Sequence, residues 1–105
     1  MPYRIQYSRE AEDDLAYVRR FHGATAEVAV RRAVPRFLAD EPGVDRGARK
    51  RLQPNPLGAH WRLQVGDYRV IYNIEDDETV EIVRVGRKRR ELLYLRGRPF
   101  DLRVD

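Results

Sequence analysis

The chain predicts an α+β fold: an N-terminal strand, then two helices packed on one face of a twisted antiparallel sheet. Three observations carry this expectation. Apolar residues between Arg9 and Leu38 recur at three- and four-residue spacing, the helical period. From His60 to Val85 the period changes to the two-residue alternation of strands. The connections inside that second region, Gly66-Asp67 and Glu75 to Glu78, are short enough to make its strands antiparallel neighbours.

Tyr3 to Tyr7 alternates and is rich in strand formers, which makes it the first strand. Ser8 then stands as an N-cap, with Glu10, Glu12 and Asp13 placed to meet the positive end of a helix from about Arg9 to Phe21. Ala11, Leu15, Val18 and His22 share one face of that helix, and Gly23 stops it. A second helix begins near Thr25, with Ala26, Val30, Ala33, Val34, Phe37 and Leu38 as its apolar stripe. It ends before Pro42-Gly43. Pro35 removes one backbone donor and crowds the carbonyl of Arg31, so a kink is expected there. Val44 to Pro56 lacks a period and is expected to be a mobile loop with a short extended piece at Lys50 to Leu52. Strands follow at His60 to Val65, Tyr68 to Ile74 and Thr79 to Val85, then a short one at Leu92 to Leu95. The tail from Arg96 has no assignment.

With 105 residues the chain is expected to form one domain over 1–105 and to bury roughly two-thirds of its unfolded surface. The absence of cysteine rules out disulfides and thiolate metal sites and suits a reducing cytoplasm. No apolar run approaches the ~18 residues of a membrane span and no secretory h-region opens the chain, so a soluble, unprocessed protein is expected. The net charge of +4 is unevenly spread. Residues 1–48 hold 8 basic and 8 acidic side chains, whereas residues 49–100 hold 12 and 7. Such an excess suits a polyanionic partner. Nineteen of the 21 basic residues are arginine, which a GC-rich genome favours anywhere, so the charge alone does not identify that partner.

A two-residue Gly66-Asp67 turn sets Val65 opposite Tyr68, Gln64 opposite Arg69, Leu63 opposite Val70 and Arg62 opposite Ile71. Trp61, Leu63, Val65, Tyr68, Val70 and Tyr72 then line the face that the helices cover. Arg62, Gln64 and Arg69 share the other. If Asp76-Asp77 is also a two-residue turn, Arg84 faces Arg69, an arrangement that needs an anion between the two cations. The run Arg87-Lys88-Arg89-Arg90 follows the third hairpin strand and is expected to bring at least part of its charge to the same basic face. Tyr94 is either a packing residue or a ring that stacks on a base and exchanges a proton. His22 and His60 lack partners at ligand spacing and are expected to be structural or solvent-facing. No metal or cofactor is expected.

Three segments together, Trp61-Arg62-Leu63, Val65 to Tyr72, and Val85 to Arg90 followed by Tyr94, resemble the C-terminal half of RelE/ParE toxins from bacterial toxin–antitoxin pairs. The resemblance implies a RelE/ParE-like fold and, in RelE-like members, metal-independent cleavage of mRNA on the ribosome. It implicates Arg62, Arg69, Lys88 and Tyr94 as catalytic. Lys50, Arg51, Gln64, Arg84, Arg87, Arg89 and Arg90 are the accompanying RNA-binding candidates. Gln64 departs from the pattern, since many ribosome-dependent members carry a second cation there. The resemblance equally implies ParE-like members that poison DNA gyrase without cutting RNA. A non-catalytic binding module is a third reading. A cognate antitoxin encoded beside the toxin is implied as partner, with operator DNA reached only through that complex.

Overall fold

A computed structural model describes residues 2–76 and 78–102. In chain order the elements are β1 (Arg4–Tyr7), α1 (Arg9–His22), α2 (Ala24–Leu38), β2 (Arg49–Arg51), β3 (Trp61–Val65), β4 (Tyr68–Ile74), β5 (Thr79–Arg89), β6 (Leu92–Leu95) and β7 (Arg98–Phe100). Ser8 caps α1 as its sequence context predicts: its Oγ accepts from the Ala11 N–H at 3.0 Å. The same hydroxyl donates to the Val83 carbonyl at 2.8 Å, which ties the helix start to β5. Gly23 has φ +105 and separates the helices in a single residue, since its N–H closes on Val18 while its carbonyl accepts from Glu27. α2 continues past Pro35 for one further turn to Leu38, because the proline falls in its last turn, where little of the helix ladder remains to be lost.

The strands run β2-β3-β4-β5-β6-β7, each antiparallel to the next, and β1 lies parallel to β5 beside the stretch Thr79 to Ile82. The β3–β4 register is the predicted one at all four expected pairs, from Arg62 opposite Ile71 to Val65 opposite Tyr68, and Trp61 adds a fifth opposite Tyr72. Gly66 at φ +58 makes that tight turn possible. The β4–β5 register is not the predicted one. Glu75 and Thr79 close a turn wider than two residues, and an irregularity between Ile71 and Tyr72 slips the pairing again. Arg84 therefore faces Ile71, and Arg69 faces Gly86. The proposed turn residue Asp77 lies outside the described residues.

β5 also runs four residues further than expected, to Arg89, so three of the four clustered cations are strand residues. β2 starts one residue earlier than expected, and the tail supplies β7. Both sheet faces carry a core. Ala11, Leu15, Val30, Val34 and Leu38 of the helices pack on Trp61, Leu63, Val70, Tyr72, Val80, Ile82 and Val85. On the opposite face Leu52, Ala59, Ile71, Leu93, Leu95 and Leu102 form a smaller cluster.

Candidate nucleic-acid interface

Strand pairing sorts the candidate residues between two faces. Lys50 is opposite Arg62, Gln64 is opposite Arg69, and Lys88 is opposite Leu93 of the smaller core, so these five polar residues share the face away from the helices. Arg62 and Arg69 are only 6% and 5% exposed. The Nη1 of Arg62 donates to the Ala48 carbonyl at 2.7 Å. The Nη1 of Arg69 donates to the carbonyls of Gly66 and Tyr68 at 2.8 and 3.0 Å. Both guanidiniums are thus fixed cations seated just beneath the surface, where a low dielectric strengthens their field. Lys50 and Gln64 are exposed around them and Lys88 is half-buried.

The remaining candidates are elsewhere. Arg51 faces Trp61 on the helix side, with its guanidinium 5.5 Å from the indole ring. Arg84 is bound to Asp14 through two hydrogen bonds of 2.8 and 2.9 Å, which raise its pKa. Arg90 occupies the β5–β6 turn with φ +58 and is exposed. Tyr94 and Arg87 face one another, and Arg87 also faces Tyr68, so all three fall on the helix side of the sheet. Tyr94 is therefore separated from Arg62 and Arg69 by the sheet itself. The cause is period-two alternation: β6 buries Leu93 and Leu95 on the far face, and the intervening tyrosine must point back.

On the helix side a cleft of about 210 Å³ opens between the C-terminal end of α1 and the strands β4, β5 and β6. Tyr17 and His22 of α1, Tyr68, Arg87, Arg89 and Tyr94 line it. The Tyr68 hydroxyl lies 2.9 Å from Nδ1 of His22. Partial burial and, to a smaller extent, the positive charge of Arg87 hold the imidazole below its ordinary pKa. Sequence reasoning missed this pair because the two residues are 46 positions apart and meet only through helix–sheet packing. It also missed Asp14, whose carboxylate accepts from Arg84, Arg96 and the Val85 N–H. A signal existed there, since a carboxylate between Ala11 and Val18 interrupts an apolar helical stripe. Among the described residues no cluster of His, Asp or Glu is placed to hold a metal ion, and no helix is long and apolar enough to cross a membrane.

The family model for the ParE toxin of the type II toxin–antitoxin system parDE matches residues 5–92. The chain belongs to the ParE toxin family. Solved structures of related toxins share its fold. A chain of the RelBE2 toxin–antitoxin complex from Mycobacterium tuberculosis is 25% identical with a TM-score of 0.67, over 84% of this chain and 93% of that one. The YoeB dimer from Staphylococcus aureus gives 16% and 0.61, over 84% and 98%. YafQ from E. coli gives 17% and 0.58, over 82% and 93%. No curated protein sequence matches. This ParE-family toxin thus has the RelE/ParE architecture, two helices on a sheet with an N-terminal strand, as its residues led one to expect.

Proposed function

We propose that this toxin holds RNA against the sheet face that carries Lys50, Arg62, Gln64, Arg69 and Lys88, and cuts mRNA on the ribosome. The observation that carries the reading is the convergence of these residues from four separate strands onto one face. The chemistry is attack of a ribose 2′-hydroxyl on the adjacent phosphate, giving a 2′,3′-cyclic phosphate and a 5′-hydroxyl. Arg62 and Arg69, immobilised by backbone carbonyls, supply a preorganised positive field where charge develops on the phosphorane. Lys88 contacts the phosphate from the rim. Tyr94 is on the opposite face and takes no part at this phosphate. Proton transfer then falls to Lys88 or to ribosomal groups, and alignment of the RNA by the ribosome lowers the demand on the toxin. A cognate antitoxin as partner is supported by family membership and by related structures solved as toxin–antitoxin complexes, RelBE2 and YoeB-YefM.

A second reading has its own observation. Two guanidiniums already bonded to backbone carbonyls, with Tyr94 on the opposite face, suit a face that binds without cutting, as in ParE-like poisons of DNA gyrase. Induction in a bacterial host separates the two. RNA cleavage predicts arrested translation without induction of the SOS response, while gyrase poisoning predicts SOS induction and filamentation with intact mRNA.

A further inference from the structure

We propose that the helix-side cleft is a nucleotide site, in which Arg87 and Arg89 hold a phosphate and the rings of Tyr17, Tyr68 and Tyr94 hold a base. The inference is independent of whether the sheet face cuts RNA. The register sets Tyr68, Arg87 and Tyr94 side by side on β4, β5 and β6, and Arg89 lies two residues along the same face of β5. Cations alternating with aromatic rings are what single-stranded nucleic acid requires, since the phosphate takes the charge and the base takes the π-faces. Tyr17 closes the other side and is braced by Phe21, whose ring centroid is 4.5 Å away.

His22 adds a directional contact. When the Tyr68 hydroxyl donates to Nδ1, the neutral ring carries its proton on Nε2, a donor for a phosphate or base oxygen. Its lowered pKa is consistent with that neutral form. The acidic groups nearby do not cancel the cations. Asp14 lies beneath the cleft and is bonded to Arg84, Arg96 and the Val85 N–H. Asp67 is exposed and its closest approach to Arg87 is 3.9 Å, a weak surface pair. An acidic peptide would use the cations but leave the three rings without matching surface, so a nucleotide fits the lining better.

The test is titration of the full-length, isotope-labelled toxin with adenosine 5′-monophosphate, inorganic phosphate and a hexaglutamate peptide, followed by amide chemical shifts. The monophosphate should shift His22, Tyr68, Arg87 and Tyr94, and bind at least tenfold more tightly than phosphate or hexaglutamate. Arg87→Ala and Tyr94→Ala should each weaken it about tenfold, while Arg36→Ala on the exposed side of α2 leaves it unchanged. Where Tyr94→Ala does not fold, the shift map of the unaltered protein decides. Equal binding of phosphate and the monophosphate, tighter binding of hexaglutamate, or shifts confined to the face of Arg62 and Lys88 would each overturn the proposal. Lys88→Ala should retain monophosphate binding even if it loses mRNA cleavage, which keeps failure here distinct from failure of the sheet-face reading.

Discussion

Asp14 shows how one side chain determines the placement of several others. The residue is 1% exposed, and its carboxylate accepts from Nε and Nη2 of Arg84, from the Val85 N–H and from Nε of Arg96, all within 3.0 Å. Arg96 also reaches Glu10, one turn earlier on α1. These bonds lock the middle of β5 and the β6–β7 turn against the first helix. Burying a carboxylate is costly in isolation, but removing it costs more, because Arg84 keeps its charge with only 16% side-chain exposure. Asp14→Asn is expected to lower stability by about 3 kcal/mol. For a domain of this size that is a fall of roughly 15 °C in melting temperature. Thermal unfolding by circular dichroism measures it, and a shift below a few degrees would show that the cluster adds little.

At the level of elements, the β3–β4 hairpin was legible because Gly66-Asp67 is a turn signal flanked by clean alternation. β4–β5 was not, because a wider turn and an irregularity each move the pairing by one residue, and nothing in the residues of β5 marks either event. Gly86 is the clearest local device in that strand. A Cβ there would lie 2.7 Å from the Tyr94 carbonyl oxygen and 2.8 Å from Leu93 Cδ1 and Leu95 Cδ2. Gly86→Ala should therefore cost about 1 to 3 kcal/mol by overpacking. The loss should concentrate in β6, read as faster amide exchange at Leu93 and Leu95 than in β3. Uniform acceleration across the sheet would contradict that location.

Tyr72 ties another element down. Its ring packs in the main core 6.2 Å from that of Trp61, and its hydroxyl donates to the Pro42 carbonyl at 2.6 Å. Tyr72→Phe is expected to cost about 1 kcal/mol. Burial raises the Tyr72 pKa well above the ordinary value of 10.0, so the folded state keeps the phenol neutral while the unfolded state ionises it. The resulting stability is fully present below pH 10 and is lost as pH rises beyond it. The phenylalanine variant should lose less stability between pH 9 and 11 than the unaltered protein. Parallel alkaline melts would count against this cause.

Across the whole molecule, the order of elements from β1 to β6 followed from periodicity and turn signals, but each sheet face carries both a core and cations, so the expected division into an apolar and a basic face held for β3 alone. The composition of the candidate site did not follow from those signals. Arg87 to Arg90 read as a cluster beyond the strand, but β5 continues to Arg89, and its alternation sends Lys88 to one face and Arg87 and Arg89 to the other. Tyr94 follows Arg87 for the same reason. The charge is thus divided between two sites, one under the helices' edge and one on the face away from the helices, where cleavage of RNA is proposed.

The most direct test is cleavage of a defined mRNA on purified ribosomes by the unaltered toxin and by Lys88→Ala, with ends mapped by primer extension. Lys88 is suited to it because its backbone bond to Asp67 survives the substitution. The unaltered toxin should leave discrete cuts in translated mRNA bearing 2′,3′-cyclic phosphate ends. Lys88→Ala should cut roughly a hundredfold more slowly with an unchanged melting temperature. Intact mRNA with the unaltered toxin, or equal cutting by a folded Lys88→Ala variant, would contradict RNA cleavage at this face.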